Sequence, residues 1–207
     1  SPKRLEKDIT AHKVTDKNAE HRVVYIPSCI NRTFGATKEK DATPEPLPEV
    51  FVRLCRKAGY KVIFPDGMDS LCCGMIWESK GMPDLAEKKI RELETALVKA
   101  SENGKIPVVC DQSPCLHRMR ENIKALKLYE PAEFILDFLA QHLDFSRSDT
   151  PVALHITCST RRMGLAAKIT ALASLCSTAV TVPAEVGCCG FAGDKGFTFP
   201  ELNRWGL

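Results

Sequence analysis

The segment Arg22–Cys29, RVVYIPSC, is a β-branched and aromatic run closed by proline and serine, and it delivers a cysteine just past the end of a strand. Val152–Cys158, VALHITC, does the same thing again. Working outward from these two, Val23–Ile26, Val62–Phe64 in KVIFPDG and Val108–Val109 in IPVVCD read as buried strands, as do Val152–Ile156 and Ala179–Pro183. Helical patterns lie between them. In DLAEKKIRELETALVKASENG, Ala86, Ile90, Leu93, Leu97 and Ala100 recur at spacings of four and three, which predicts an amphipathic helix stopped by Gly104. AEFILDFLAQHL, from Ala132 to Leu143, predicts a second helix with Phe134, Ile135, Phe138 and Leu139 on one side. Leu165, Ile169, Leu172 and Cys176 predict a third. Strands that alternate with helices specify an α/β fold with a mostly parallel sheet covered by helices.

The order of events repeats. In each half a strand ends in a cysteine (Cys29, Cys158), a helix and a strand follow, and a Cys-Cys-Gly element comes next, at Cys72–Gly74 and at Cys188–Gly190. This reads as an internal duplication of about a hundred residues. The first 21 residues are charged and aperiodic, like a linker or tail; residues 22–147 form the first unit and 148–207 the second.

At 207 residues, with 44% hydrophobic and 27% charged residues, the chain has the composition of a globular protein with a core. Its net charge of +3 is spread without a basic stripe, which points away from nucleic acid. No apolar run reaches the roughly 18–20 residues needed for a transmembrane segment, and SPKRLEKDITAHK lacks the apolar centre of a secretion signal. The expected location is the cytoplasm or the inner face of a membrane complex.

Ten cysteines without a secretion signal favour metal or redox chemistry over a disulfide framework. Cys29, Cys110 and Cys158 follow strand ends, where open α/β sheets place their ligands. The adjacent pairs Cys72-Cys73 and Cys188-Cys189 can offer two thiolates to different iron atoms, and the glycine behind each pair lets backbone N–H groups approach sulfur. Cys55 and Cys176 fall among apolar residues on helices and read as small hydrophobes. His142 and His155 read as packing or surface residues. Tetrahedral zinc is the competing use of the cysteines, with CDQSPC, Cys110 to Cys115, as the only hook-like spacing. GFAGDKG matches no nucleotide-binding loop, and no Ser-His-Asp or paired-carboxylate arrangement can be read.

The strings IPSC, SLCCGM, SPC, HITCSTRRMG and VGCCGFAGDKGFTFPELN carry a family likeness. The chain resembles the cysteine-rich CCG domains of the heterodisulfide reductases, the lactate-utilisation iron–sulfur proteins and anaerobic glycerol-3-phosphate dehydrogenase. From about Arg22 onward it is more closely similar to the C-terminal region of the bacterial FAD-linked, iron–sulfur D-2-hydroxy acid dehydrogenases of the D-lactate dehydrogenase type. The resemblance implies a duplicated CCG domain, the second unit truncated at its C-terminus. It also implies an upstream FAD domain and ferredoxin-like domains in the same polypeptide, and a quinone or cytochrome as electron acceptor. The CCG region would hold a [4Fe-4S] cluster, of a non-cubane kind in the heterodisulfide reductases.

Carried over residue by residue, Cys29, Cys72, Cys73 and Cys115 match the first motif, and Cys158, Cys188 and Cys189 match the start of the second. The family pattern ends in C-x-x-C, whereas the position three before Cys115 is Gln112; Cys110 is the alternative at a different spacing. The expected function is electron transfer within a larger flavin-dependent oxidoreductase, the catalytic step lying outside this segment. The alternatives are a thiol/disulfide redox module, as in the heterodisulfide reductases, and a zinc-binding or metal-free docking module.

Overall fold

The computed structural model describes residues 21–34, 45–185, 187–191 and 193–204. The segment expected as a charged linker lies outside these residues apart from His21, which opens the first strand. Strands β1 (His21–Ile26), β2 (Tyr60–Ile63), β3 (Val108–Cys110) and β4 (Leu128–Tyr129) form a sheet of order β2-β1-β3-β4. All of its pairings are parallel, with Val23 opposite Val62, Ile26 opposite Cys110 and Val108 opposite Leu128. The helices are α1 (Cys29–Phe34), α2 (Leu47–Lys57), α3 (Met75–Ser79), α4 (Pro83–Ala100) and α5 (Ser113–Asn122).

The central strand β1 explains the continuous apolar run in the sequence. Val24 and Ile26 face one core with Ile90, Leu93 and Leu97 of α4 and Leu116 and Met119 of α5. Val23 and Tyr25 face a second core with Phe51, Val52 and Cys55 of α2 and with Phe134 and Leu139. A strand buried on both sides has no polar face to alternate with. The α4 stripe behaves as its periodicity predicts: Ala86, Ile90, Leu93 and Leu97 are all buried, and each large side chain contributes roughly 1.5–3 kcal/mol of apolar burial.

The helix expected over 132–143 is not one regular helix. It runs as α6 (Pro131–Phe134), continues as a π turn (Ile135–Leu139) and closes as a 3₁₀ turn (Ala140–His142). The π turn brings Phe134 and Leu139, five residues apart, to the same buried face. Glu130 and Glu133 form a capping box at its start.

The second unit has its own sheet, β5 (Val152–Ala153) paired parallel to β6 (Val180–Thr181), with α7 (Cys158–Arg162) and α8 (Ala166–Cys176) between them. The succession strand, cysteine-initiated helix, helix, parallel strand, Cys-Cys-Gly is therefore the same as in β1-α1-α2-β2. Two corrections apply here. The strand expected over 152–156 pairs only at Val152 and Ala153, because β6 offers two residues of ladder; His155 lies beyond it and is exposed. Cys176, expected on a buried face, is exposed, and no residue of α8 is fully buried, since a two-stranded sheet leaves its helix half covered. Cys55 is buried as expected.

Candidate cysteine cluster

The first motif converges on one place. Cys29, Cys72, Cys73, Cys110 and Cys115 all line a single cleft of ≈ 280 Å³, its open mouth included. Each arrives on a different piece of the fold. Cys29 opens α1 after β1, and Cys110 is the last residue of β3, so parallel neighbours present both at the same sheet edge. Asp111 ties the two strand ends together: Oδ1 accepts the Ser28 backbone N–H at 2.7 Å and Oδ2 accepts the Tyr25 hydroxyl at 2.7 Å.

Cys72 and Cys73 are held by the turn that follows them. Gly74 has φ +85°, and a Cβ there would lie 2.5 Å from the Ala86 carbonyl oxygen, so this position requires glycine both for conformation and for space. The Gly74 backbone N–H donates to Cys72 Sγ at 3.4 Å. Cys115 stands in the first turn of α5, and Arg118 on that helix donates from Nε to the Cys73 carbonyl at 2.9 Å while pairing with Glu78 of α3. On α1, Arg32 donates through Nη2 to the Leu71 carbonyl at 2.8 Å and through Nη1 to the Met68 carbonyl, fixing the loop that leads into Cys72.

The sulfurs meet one another in a row. Hydrogen bonds from the Cys29 and Cys73 thiols and from Gly74 N–H hold Cys72 well below the ordinary thiol range. Cys29 is raised by its bond to Cys72, and Cys73 by its bonds to Cys115 and Cys72, burial adding to both. Burial raises Cys110, with the charges of Cys115 and Asp111 reinforcing it. Among the described residues no group of three or more His, Cys, Asp and Glu side chains surrounds a point suited to a single metal ion.

The donor set fits a sulfur-ligated metal group on its own chemistry. Several thiols share one cleft with a backbone N–H directed at sulfur and a buried guanidinium that offsets anionic ligands. Arg32, Arg118 and Asp111 were not among the expected site residues. Their signal is positional: Arg32 and Arg118 each lie three residues after a cysteine on a helix, which places them on the same face, and Asp111 directly follows Cys110.

The second motif repeats the local geometry without the convergence. Gly190 has φ +70°, its N–H donates to Cys188 Sγ at 3.4 Å, and a Cβ on it would lie 1.9 Å from the Leu202 carbonyl oxygen. Cys158, Cys188 and Cys189 are exposed and lie outside the first cleft. The two motifs nevertheless touch. Ser113, two residues before Cys115, bonds Thr157 at 3.0 Å and Ser159 at 2.8 Å, on either side of Cys158. Asp194 pairs with Lys80 at 2.6 Å and accepts from Ser79 at 3.3 Å, which fastens the segment after Gly190 to the helix that follows Gly74.

Residues 23–120 match the family model described as CCG, the cysteine-rich domain. The matched stretch runs from β1 into α5 and contains all five cysteines of the cleft. It supports a cysteine-rich CCG domain over this segment, a kind of domain consistent with redox or metal-binding roles. Comparison with curated proteins and with solved structures gave no match. Among the described residues no helix is long and apolar enough to cross a membrane.

Proposed function

We propose, taking the cysteine-rich domain over residues 23–120 as premise, that the chain is the iron–sulfur electron-transfer region of a FAD-linked D-2-hydroxy acid dehydrogenase of the D-lactate type. It would pass electrons from the flavin of another domain to a quinone or cytochrome acceptor. The observation that carries this reading is the convergence of Cys29, Cys72, Cys73 and Cys115, with Cys110 behind them, on one cleft.

A [4Fe-4S] cluster, when bound, supplies one-electron storage. The chain's own residues account for the rest. Cys29, Cys72, Cys73 and Cys115 would be the ligands, with Cys110, two residues before the Gln112 that occupies the pattern position, as the substitute at a different spacing. Cys29 and Cys73 would ligate as thiolates, so their thiol protons would leave on binding. Leu71, Leu93 and Met119 give the cleft an apolar wall. Cys158, Cys188 and Cys189 would serve a second site.

The test is iron and sulfide analysis with EPR on the anaerobically purified full-length protein, alongside C73S and C115S variants. Iron and sulfide beyond any ferredoxin-type content, lost in both variants, is the expected result. Equal iron in all three proteins would end this reading. The direct Cys29–Cys72 contact favours thiol–disulfide exchange as a second reading; turnover of a small disulfide by the iron-free protein would establish it.

A further inference from the structure

One buried donor of a cleft-lining side chain has no hydrogen-bond partner among the described residues. Arg32 is only 8% exposed, lines the cleft with the five cysteines, and commits its two Nη groups to the Met68 and Leu71 carbonyls. Its Nε–H is buried and has no hydrogen-bond partner among the described residues. Arg118, by contrast, uses its Nε on the Cys73 carbonyl and an Nη on Glu78. Buried N–H groups are almost always paired, so an orphan on a side chain this well anchored points to an acceptor that arrives later.

The cleft also needs a cation. When the cysteines ligate metal they do so as thiolates, and negative charge enclosed by Leu71, Leu93 and Met119 is costly without a positive partner. Arg32 is the one guanidinium lining the cleft among the described residues. It lies one helical turn from Cys29 on α1, so the ligand and the cation enter together. Guanidinium is permanently charged and keeps this role at any working pH.

We propose that Arg32 is the charge-compensating donor of the site, its Nε–H reserved for a sulfur atom of the bound iron–sulfur group. This rests on the iron–sulfur reading above. Hydrogen bonds and positive charge at cluster sulfur stabilise the reduced, more negative state, so Arg32 raises the reduction potential.

The experiment is an EPR-monitored redox titration of the full-length protein as wild type, Arg32→Gln and Arg32→Lys, with iron and sulfide measured in each. Arg32→Gln removes the charge and is expected to shift the reduction equilibrium about tenfold toward the oxidised form, a fall of about 59 mV for one electron. Arg32→Lys keeps the charge but not the Nε donor and should fall by less. Should Arg32→Gln lose its circular-dichroism signature, Arg32→Lys decides alone; a folded Arg32→Lys with a lowered potential, or without iron, supports the assignment. Potentials equal to wild type in the folded variants overturn the role of Arg32 while the iron–sulfur reading stands. A wild type without iron and sulfide beyond any ferredoxin-type content overturns that reading, and this assignment with it.

Discussion

Gly74→Ala tests the geometry that seats the cysteine pair, and Gly81→Ala supplies its control. Both glycines have positive φ, +85° and +75°. An alanine at either place incurs the left-handed penalty of roughly 1–2 kcal/mol. The surroundings differ. A Cβ at Gly81 meets nothing within 4 Å, whereas at Gly74 it falls 2.5 Å from the Ala86 carbonyl oxygen and 3.2 Å from the Ala86 carbonyl carbon and Cα. That is about an ångström inside ordinary van der Waals contact. The obstacle is backbone in the first turn of α4, a helix whose Ala86, Ile90, Leu93 and Leu97 are buried, so it cannot swing away as a side chain would. Overpacking of this kind costs about 1–3 kcal/mol beyond the conformational term. Chemical denaturation should therefore show Gly74→Ala less stable than Gly81→Ala by that amount, a difference of roughly 2–12 °C in melting temperature for a chain of this size. Equal stability in the two variants would mean that the close approach of Gly74 to α4 does not exist, and with it the fixed placement of Cys73.

Three further outcomes follow from other parts of the structure. Native-state labelling with a thiol reagent at neutral pH should modify the exposed Cys158, Cys176, Cys188 and Cys189 and spare Cys55, whose thiol is buried and pushed up to about 12; peptide mapping reads the difference. Asp111→Ala removes the acceptor shared by Ser28 N–H and the Tyr25 hydroxyl and should cost about 1.5–3 kcal/mol by denaturation, the range for bonds to a charged group. Burial, with Asp111 adding to it, raises Tyr25 above its usual 10.0, so the stability from its protonated hydroxyl is fully present below that pH and is lost as pH climbs through the folded value. Ultraviolet titration should show Tyr25 ionising only with unfolding at strongly alkaline pH, a step that Tyr25→Phe removes.

Much of the α/β framework is legible in local pattern. β1 reads as a doubly buried strand because its apolar run is continuous, and α4 as a helix because its stripe repeats at helical spacing over 18 residues. Where local pattern ran short it misled: the strand at 152–156 shrank because its partner is two residues long, and Cys176 is exposed because a two-stranded sheet leaves α8 half covered. The π turn after Phe134 has no local signature; it follows from which side chains the second core can accept.

Residue order alone determined that a strand-end cysteine and a Cys-Cys-Gly element occur twice, because strands, turns and the glycine requirement are written within a few neighbouring residues. Only the tertiary structure decided that Cys29, Cys72, Cys73, Cys110 and Cys115 share one cleft while Cys158, Cys188 and Cys189 stay exposed, and that Arg32 keeps a buried donor beside the first group. Convergence of that kind depends on parallel strands bringing distant chain segments to one sheet edge and on buried arginines bonding carbonyls some forty residues away, contacts that leave no periodic trace along the chain.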